Sequence, residues 1–277
     1  SLGMNPVQAI KMATINTAKC YGLKHLGAIS PGFQADFVVL DNLQDLNVTD
    51  VFYKGKLVDR NAPIRVKTCG RALKHTVHLD KVKAAQFVLP IGKKKTHVIG
   101  INPSQITTED LAVSLQPAAN YVPTDGYSKV AAVERHHNTG KIGVAVAKGY
   151  GIRNGAVASS VSHDSHNIIV IGDNDRDMAL AVDEIIRTQG GYTVVENGEV
   201  FETLPLPIMG LMSDAGFESV NETLGRMIKK AHEMGVPADI EPFITLSFLA
   251  LPVIPTLRIT PRGLCLLTAK GPEILQE

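Results

Sequence analysis

The sequence lacks an excess of charge of either sign: 28 Lys and Arg stand against 27 Asp and Glu, a formal net charge of +1. Domains that grip nucleic acid usually carry a clear cationic surplus, so the balance argues against polyanion binding as the main function. No run of ~18 consecutive apolar residues occurs, which argues against a membrane-spanning helix. The start also lacks the basic, apolar and small-residue succession of a signal peptide, so a cytoplasmic protein is expected. Cysteine is scarce. Cys20, Cys69 and Cys265 are far apart and odd in number, which argues against a disulfide framework and for a reducing compartment.

Several signatures of known chemistry are missing too. No two cysteines stand at the short spacing of a zinc knuckle, and H-x-E with a later P-C-x-x-C is absent, which excludes the small zinc enzymes of the cytidine type. Gly149-Tyr150-Gly151 begins like a dinucleotide fingerprint, but Asn154 occupies the place of the third glycine, so it reads as a turn. Neither a P-loop nor a G-x-S-x-G elbow occurs. His232-Glu233 opens like a zinc-protease helix, yet Val236 stands where the second histidine ligand belongs. Asn47-Val48-Thr49 and Asn221-Glu222-Thr223 are chance matches to the glycosylation pattern. Lys93-Lys94-Lys95 reads as a solvated edge guarding the next strand.

What the sequence does hold is core-forming material, 44% hydrophobic against 20% charged residues. That composition is globular, and at ~150 residues per domain the length predicts two domains. Asn5-Pro6 opens a helix over Pro6 to Tyr21, stopped by Gly22. The chain begins Ser1-Leu2-Gly3 and runs almost at once into this helix, which predicts the downstream part of a longer protein. Short β-favouring runs follow at Leu26 to Ile29, Ala35 to Leu40, Val48 to Tyr53 and Lys56 to Val58. From Asn61 to about Lys95 the pattern weakens into a connection with one helix near Asp80 to Phe87.

A second domain begins at Thr96. Its β-like runs are Thr96 to Ile101, Lys129 to Arg135, Ile142 to Lys148, Ala156 to Ser160 and Asn167 to Ile171. Asp173-Asn174 caps a helix with Met178, Ala181, Val182, Ile185 and Ile186 on one face, ending at Gly190-Gly191. Asn197-Gly198 joins Tyr192 to Glu196 and Glu199 to Thr203 as a two-residue hairpin. A further helix spans Phe217 to Met234, and apolar runs from Phe243 to Leu257 and near Leu264 to Leu267 close the chain. This order predicts an α+β fold with a mixed sheet and packed helices.

The densest polar cluster is Ser159-Ser160-Val161-Ser162-His163-Asp164-Ser165-His166-Asn167. Two imidazoles three residues apart with a carboxylate between them could orient a small polar ligand or hold a metal, whose further ligand would come from afar, as from His136-His137. Alternatively these groups satisfy one another and the backbone in a strand-to-strand corner, where Ser, Asp and Asn are favoured anyway.

Two stretches carry a family resemblance. Asn5-Pro6-Val7-Gln8-Ala9-Ile10-Lys11-Met12-Ala13-Thr14-Ile15-Asn16-Thr17-Ala18, followed by Gly27-Ala28-Ile29-Ser30-Pro31-Gly32-Phe33-Gln34-Ala35-Asp36-Phe37-Val38-Val39-Leu40-Asp41, resembles the end of an amidohydrolase-superfamily enzyme. The resemblance implies that residues 1–22 are the last helix of a (β/α)8 barrel and residues 23–66 part of a small β-sandwich, with a connection over 67–95. Further on, Gly140 to Gly143, Gly155 to Asn167, Leu204 to Ser213 and Pro242 to Pro255 resemble the C-terminal α+β domain peculiar to bacterial adenine deaminases, here 96–277.

That resemblance implies hydrolysis of adenine to hypoxanthine and ammonia in purine salvage, by a metal-activated hydroxide attacking C6 with a carboxylate shuttling the proton. It implies a cytoplasmic homo-oligomer acting on a small purine, with neither nucleic acid nor membrane as partner. It also implies a pair of Mn2+ or Fe2+ ions whose ligands lie upstream of Ser1, so no catalytic or metal-binding residue is expected in this chain, which would be inactive alone. His163, Asp164, His166 and Asn167 are the candidate substrate-binding residues, capping the purine pocket. The alternatives are an amidohydrolase of another nucleobase or cyclic amide, and a non-catalytic oligomerisation or capping module.

Overall fold

The computed structural model describes residues 3–62, 70–124 and 126–275. Part of the expected connection, 63–69 with Cys69, therefore lies outside the described residues. The chain divides into two compact units, Ser1–Lys67 and Thr68–Glu277.

In the first unit the helix begins where Asn5 predicts, its Oδ1 accepting from the amides of Val7 (3.0 Å) and Gln8 (3.3 Å). Helix α1 (Pro6–Lys11) passes through a π-helical turn, Met12–Asn16, into α2 (Thr17–Cys20). Threonine hydroxyls accompany the widened turn: Thr14 Oγ1 donates to the Ile10 carbonyl and Thr17 Oγ1 to that of Met12, each at 2.6 Å. The strand expected at Leu26 to Ile29 does not form. Gly27 turns there with φ +89°, so close to the helix that a Cβ would lie 2.8 Å from Ala18 Cβ and 2.9 Å from Ile15 Cα. The sheet consists of β1 (Phe37–Leu40), β2 (Val48–Tyr53) and β3 (Lys56–Leu57), antiparallel in that order, with β1 at an edge. Phe37 stacks on Phe52 with 4.6 Å between ring centroids.

The second unit is built on β4 (Thr96–Ile101), β5 (Thr108–Val113), β6 (Tyr127–Val133), β7 (Ile142–Lys148), β8 (Gly155–Ser159), β9 (Ile168–Gly172), β10 (Gly191–Glu196) and β11 (Glu199–Pro205). They form one sheet in the order β11-β10-β8-β9-β6-β7-β4-β5, in which only the β4–β7 pair is parallel. A sheet buried on both faces reads as continuous apolar runs, and β6, β8 and β9 do. Val130 and Ala132 face one layer, while Ala131 and Val133 face the other.

On the second of these faces lies α3 (Asp175–Thr188), burying Met178, Ala181, Val182 and Ile185. On the first face lie α4 (Phe217–Glu233), α5 (Pro242–Leu249) and strands of a small antiparallel sheet, β12 (Leu257–Thr260), β13 (Gly263–Thr268) and β14 (Gly271–Ile274). The result is a mixed α+β architecture. Asn197 (φ 52°) and Gly198 (φ 83°) make the expected two-residue turn between β10 and β11.

Three departures have local causes. The helix expected near Asp80 to Phe87 shrinks to a 3-10 turn, Ala84–Phe87, because Val82 N instead reaches Asp183 Oδ1 (2.9 Å) on α3. Strand β5 escapes the alternation test, since its Glu109-Asp110 sits on an outer strand. Helix α5 is apolar all round, and such a segment has no period to read.

Candidate functional site

The polar segment Ser159 to Asn167 leaves β8 and enters β9, the neighbouring strand, so its ends are fixed by the middle of the sheet. Its serines divide by role. Ser160 Oγ donates to the Gly210 carbonyl (2.6 Å) and accepts from Gly191 N (2.8 Å), pinning the loop after β11 and the start of β10. Ser159 Oγ accepts from Val161 N at 2.9 Å. Ser162 is fully buried, yet its hydroxyl has no hydrogen-bond partner.

The two imidazoles do converge. His163 and His166 lie edge to face with 6.1 Å between ring centroids, and the His163 ring is 5.0 Å from that of Phe248 on α5. Helix α5 also holds the segment through its backbone: His163 N donates to the Ser247 carbonyl (3.0 Å), and Ser247 Oγ donates to that of Val161. The His163 side chain is half-exposed, its Nδ1 3.8 Å from Asp164 Oδ1, and Asp164 itself is 82% exposed. His166 closes a tight turn, with its amide 2.6 Å from the Ser162 carbonyl and φ at +50°. Its Nδ1 is buried and unpartnered. Burial foremost, and then the neighbouring His163 and Arg135 against an opposing pull from Asp164, hold its imidazole below the usual histidine range. Asn167 turns inward: Oδ1 accepts from Arg135 N (3.3 Å) and Nδ2 donates to Ser165 Oγ (3.1 Å).

Distant residues complete the site. His136 follows β6, and its Nε2 sits 2.8 Å from the Ser165 carbonyl. Beside it Arg135 is 1% exposed. Its Nε donates to the His166 carbonyl, Nη1 to Thr76 O (3.0 Å) and Nη2 to Met209 O (3.0 Å). Burial pushes this guanidinium down to about 10, which still leaves it charged at neutral pH. Sequence reasoning missed Arg135, and it named Ser162 only as a member of the polar cluster. The available signal for Arg135 was a cation two positions beyond the apolar run of β6, in phase with the buried Val133, where a buried charge survives only if paired or hydrogen-bonded.

The arrangement offers a neutral imidazole and a hydroxyl with spare hydrogen-bonding capacity, set beside aromatic faces. Among the described residues no group of three or more His, Cys, Asp or Glu could hold a metal ion. None of their helices is long and apolar enough to cross a membrane.

A family model described as the adenine deaminase C-terminal domain matches residues 105–270, and one for the amidohydrolase family matches residues 1–58. The chain is 51% identical over 266 residues to the adenine deaminase of Desulfitobacterium hafniense strain Y51, covering 95% of this chain and 47% of that protein. It is 46% identical over 270 residues to the adenine deaminase of Nitratidesulfovibrio vulgaris strain DP4, and 40% identical over 270 residues to that of Clostridium acetobutylicum strain ATCC 824. These alignments cover 95% and 94% of this chain and 47% of either relative. The chain spans about half the length of the curated relatives it matches. Because the first model covers more than half of the chain, including the whole segment from Ser159 to Asn167, this chain belongs to the adenine deaminase C-terminal domain family.

Proposed function

We propose that the chain works as part of an adenine deaminase, which hydrolyses adenine to hypoxanthine and ammonia. The carrying observation is the adenine deaminase C-terminal domain match over residues 105–270. In this reaction the C6–N bond breaks, a C6–O bond forms from water, and the amino group leaves as ammonia. His163, Asp164, His166 and Asn167 form the purine-facing segment. The exposed His163 ring can lie against the heterocycle, and the uncharged His166 can exchange a hydrogen bond with a ring nitrogen. Asp164, open to water, is placed to receive a polar edge, while Asn167 braces the turn from within.

Helix α1 through α2 serves in this reading as the closing helix of a (β/α)8 barrel, and β1 to β3 as part of a small sandwich, supported by the amidohydrolase match at residues 1–58. That family suggests a metal centre, with Mn2+ or Fe2+ as the proposed ions. The described residues do not fit a ligand set, so we assign this chain no step on the metal. The working context we propose is purine salvage in the cytoplasm by a homo-oligomer.

Ammonia release from adenine with added Mn2+ tests this, for the chain alone and joined to the upstream half of the Desulfitobacterium hafniense relative. Turnover by the joined form alone is expected. Turnover of another nucleobase or cyclic amide but not adenine would replace the substrate while keeping the hydrolase. In the joined form, His163→Ala with Asp164→Ala is expected to lower kcat/KM for adenine by about tenfold or more, on the order of one lost ligand hydrogen bond. An unchanged value with unchanged stability would remove the segment from the purine pocket.

A further inference from the structure

Two guanidinium groups are buried in the second unit, Arg135 and Arg258, each 1% exposed. Neither forms an ion pair among the described residues. A buried charge without an opposite charge is costly unless its donors are well satisfied, so each must be held by what it bonds. Arg258 spends its donors on the carbonyls of Phe248, Ile254, Pro255 and Ile106, closing the chain between α5 and β12. Arg135 is different in reach. Its three nitrogens contact three segments remote in sequence, at Thr76, His166 and Met209. Gly210 makes room for it, since a Cβ there would lie 2.9 Å from the guanidinium.

The contact at His166 falls on a strained point. A non-glycine residue at φ +50° returns to ordinary backbone unless its surroundings hold it. The Nε donor of Arg135 grips the carbonyl of that very residue, and Arg135 N binds Asn167 Oδ1 one position on. Both orphaned polar atoms of the site, Ser162 Oγ and His166 Nδ1, belong to the turn so gripped.

We propose that Arg135 is a positioning residue for the purine-facing turn: its planar fork, anchored on Thr76 and Met209, fixes the left-handed His166 and so the direction of the imidazole. This rests on the reading of residues 163–167 given above. The charged and titratable groups facing the His166 imidazole are Arg135 and His136 from the end of β6, with His163 and Asp164 from its own turn. Helix α5 reaches the neighbouring His163 through Ser247 and Phe248, and Met209 of the loop after β11 reaches Arg135; none of the three is titratable.

Arg258 supplies the matched control, being equally buried and equally bound to carbonyls but without contact to His166. The test uses the full chain with 15N-labelled histidine, reading the midpoint and tautomer of each imidazole by NMR. In the unaltered chain His166 should show one tautomer and a midpoint below the ordinary histidine value. Arg135→Gln is expected to raise that midpoint through loss of a nearby positive charge, and to mix the tautomers. Arg258→Gln should change neither. A folded Arg135→Gln chain with His166 unaltered would overturn the proposal, as would an equal response to Arg258→Gln.

Should Arg135→Gln fail to fold, Arg135→Lys keeps the charge but loses the fork. It is expected to mix the tautomers, and a single unchanged tautomer would count against the assignment. In the joined enzyme, Arg135→Lys should lower kcat/KM for adenine by about a hundredfold, the scale of a misplaced ligand group, whereas Arg258→Lys should not at a comparable loss of Tm. His166→Ala separates the two ideas. If it leaves adenine turnover intact, the purine-facing reading itself falls; if it abolishes turnover while Arg135→Lys does not, only the positioning role falls.

Discussion

A single residue can decide whether a polar cluster is a site or a corner, and the serines of residues 159–162 do so one at a time. Ser160 is cornerstone material: its hydroxyl joins the Gly210 carbonyl and the Gly191 amide with no exposure to water. Ser160→Ala should therefore cost about 1–3 kcal/mol, because both partners stay buried and lose a bond. Urea unfolding checks it, and a change below about 0.5 kcal/mol would place Ser160 among indifferent surface positions. The histidines obey a different logic. His166 is held below its ordinary range chiefly by burial, so the folded chain resists the proton that the unfolded chain accepts. Its contribution to stability is full above the ordinary histidine value and declines as pH falls below it.

At the scale of elements, what was legible followed how locally each element declares itself. Helix α3 carries its own cap, Asn174 Oδ1 accepting from Asp177 N at 2.9 Å, and its own one-sided apolar face. The β10–β11 hairpin carries its own turn. Both stand where the sequence predicts them. By contrast β5 and α5 carry no one-sided period, because one is an outer strand and the other, though opened by the Glu241 cap and Pro242, is apolar on every side. The site divides likewise: His163 and His166 are neighbours in sequence, whereas Arg135 reaches His166 across 31 residues of chain. Non-local packing also explains Gly143 on β7. A Cβ there would stand 2.0 Å from the Thr260 carbonyl and 2.7 Å from Gly263 N, so the β12–β13 hairpin rests directly on the strand. Gly143→Ala should destabilise the second unit by about 3 kcal/mol or more, since backbone on both sides must give way. Thermal unfolding followed by circular dichroism reads that loss, and a variant as stable as the parent would mean the hairpin does not rest on β7.

For the whole molecule, the two units differ in how much core each owns. The second unit covers both faces of its eight-stranded sheet, with α3 on one side and α4, α5, β12 and β13 on the other. In the first unit Ala18 is the only fully buried residue among those described, while Ile29 is 85% and Val38 52% exposed. Burial of apolar surface is the main term opposing chain entropy, so the second unit should fold by itself and the first should not. Residues 70–275 expressed alone are expected to unfold in one cooperative transition with the midpoint seen in the full chain. Residues 3–62 alone should show no cooperative transition. Hydrogen exchange in the intact chain offers the same contrast, with slow amides in β6, β8 and β9 and fast ones throughout β1 to β3. Equal protection in both units would mean that apolar residues such as Val38 are shielded in solution, and the first unit's stability would then have to come from association. The amidohydrolase match at residues 1–58 bears on the same point. If those residues complete a larger barrel-and-sandwich body, protection of β1 to β3 should rise when the upstream half of a relative is joined, while β6, β8 and β9 stay as they were.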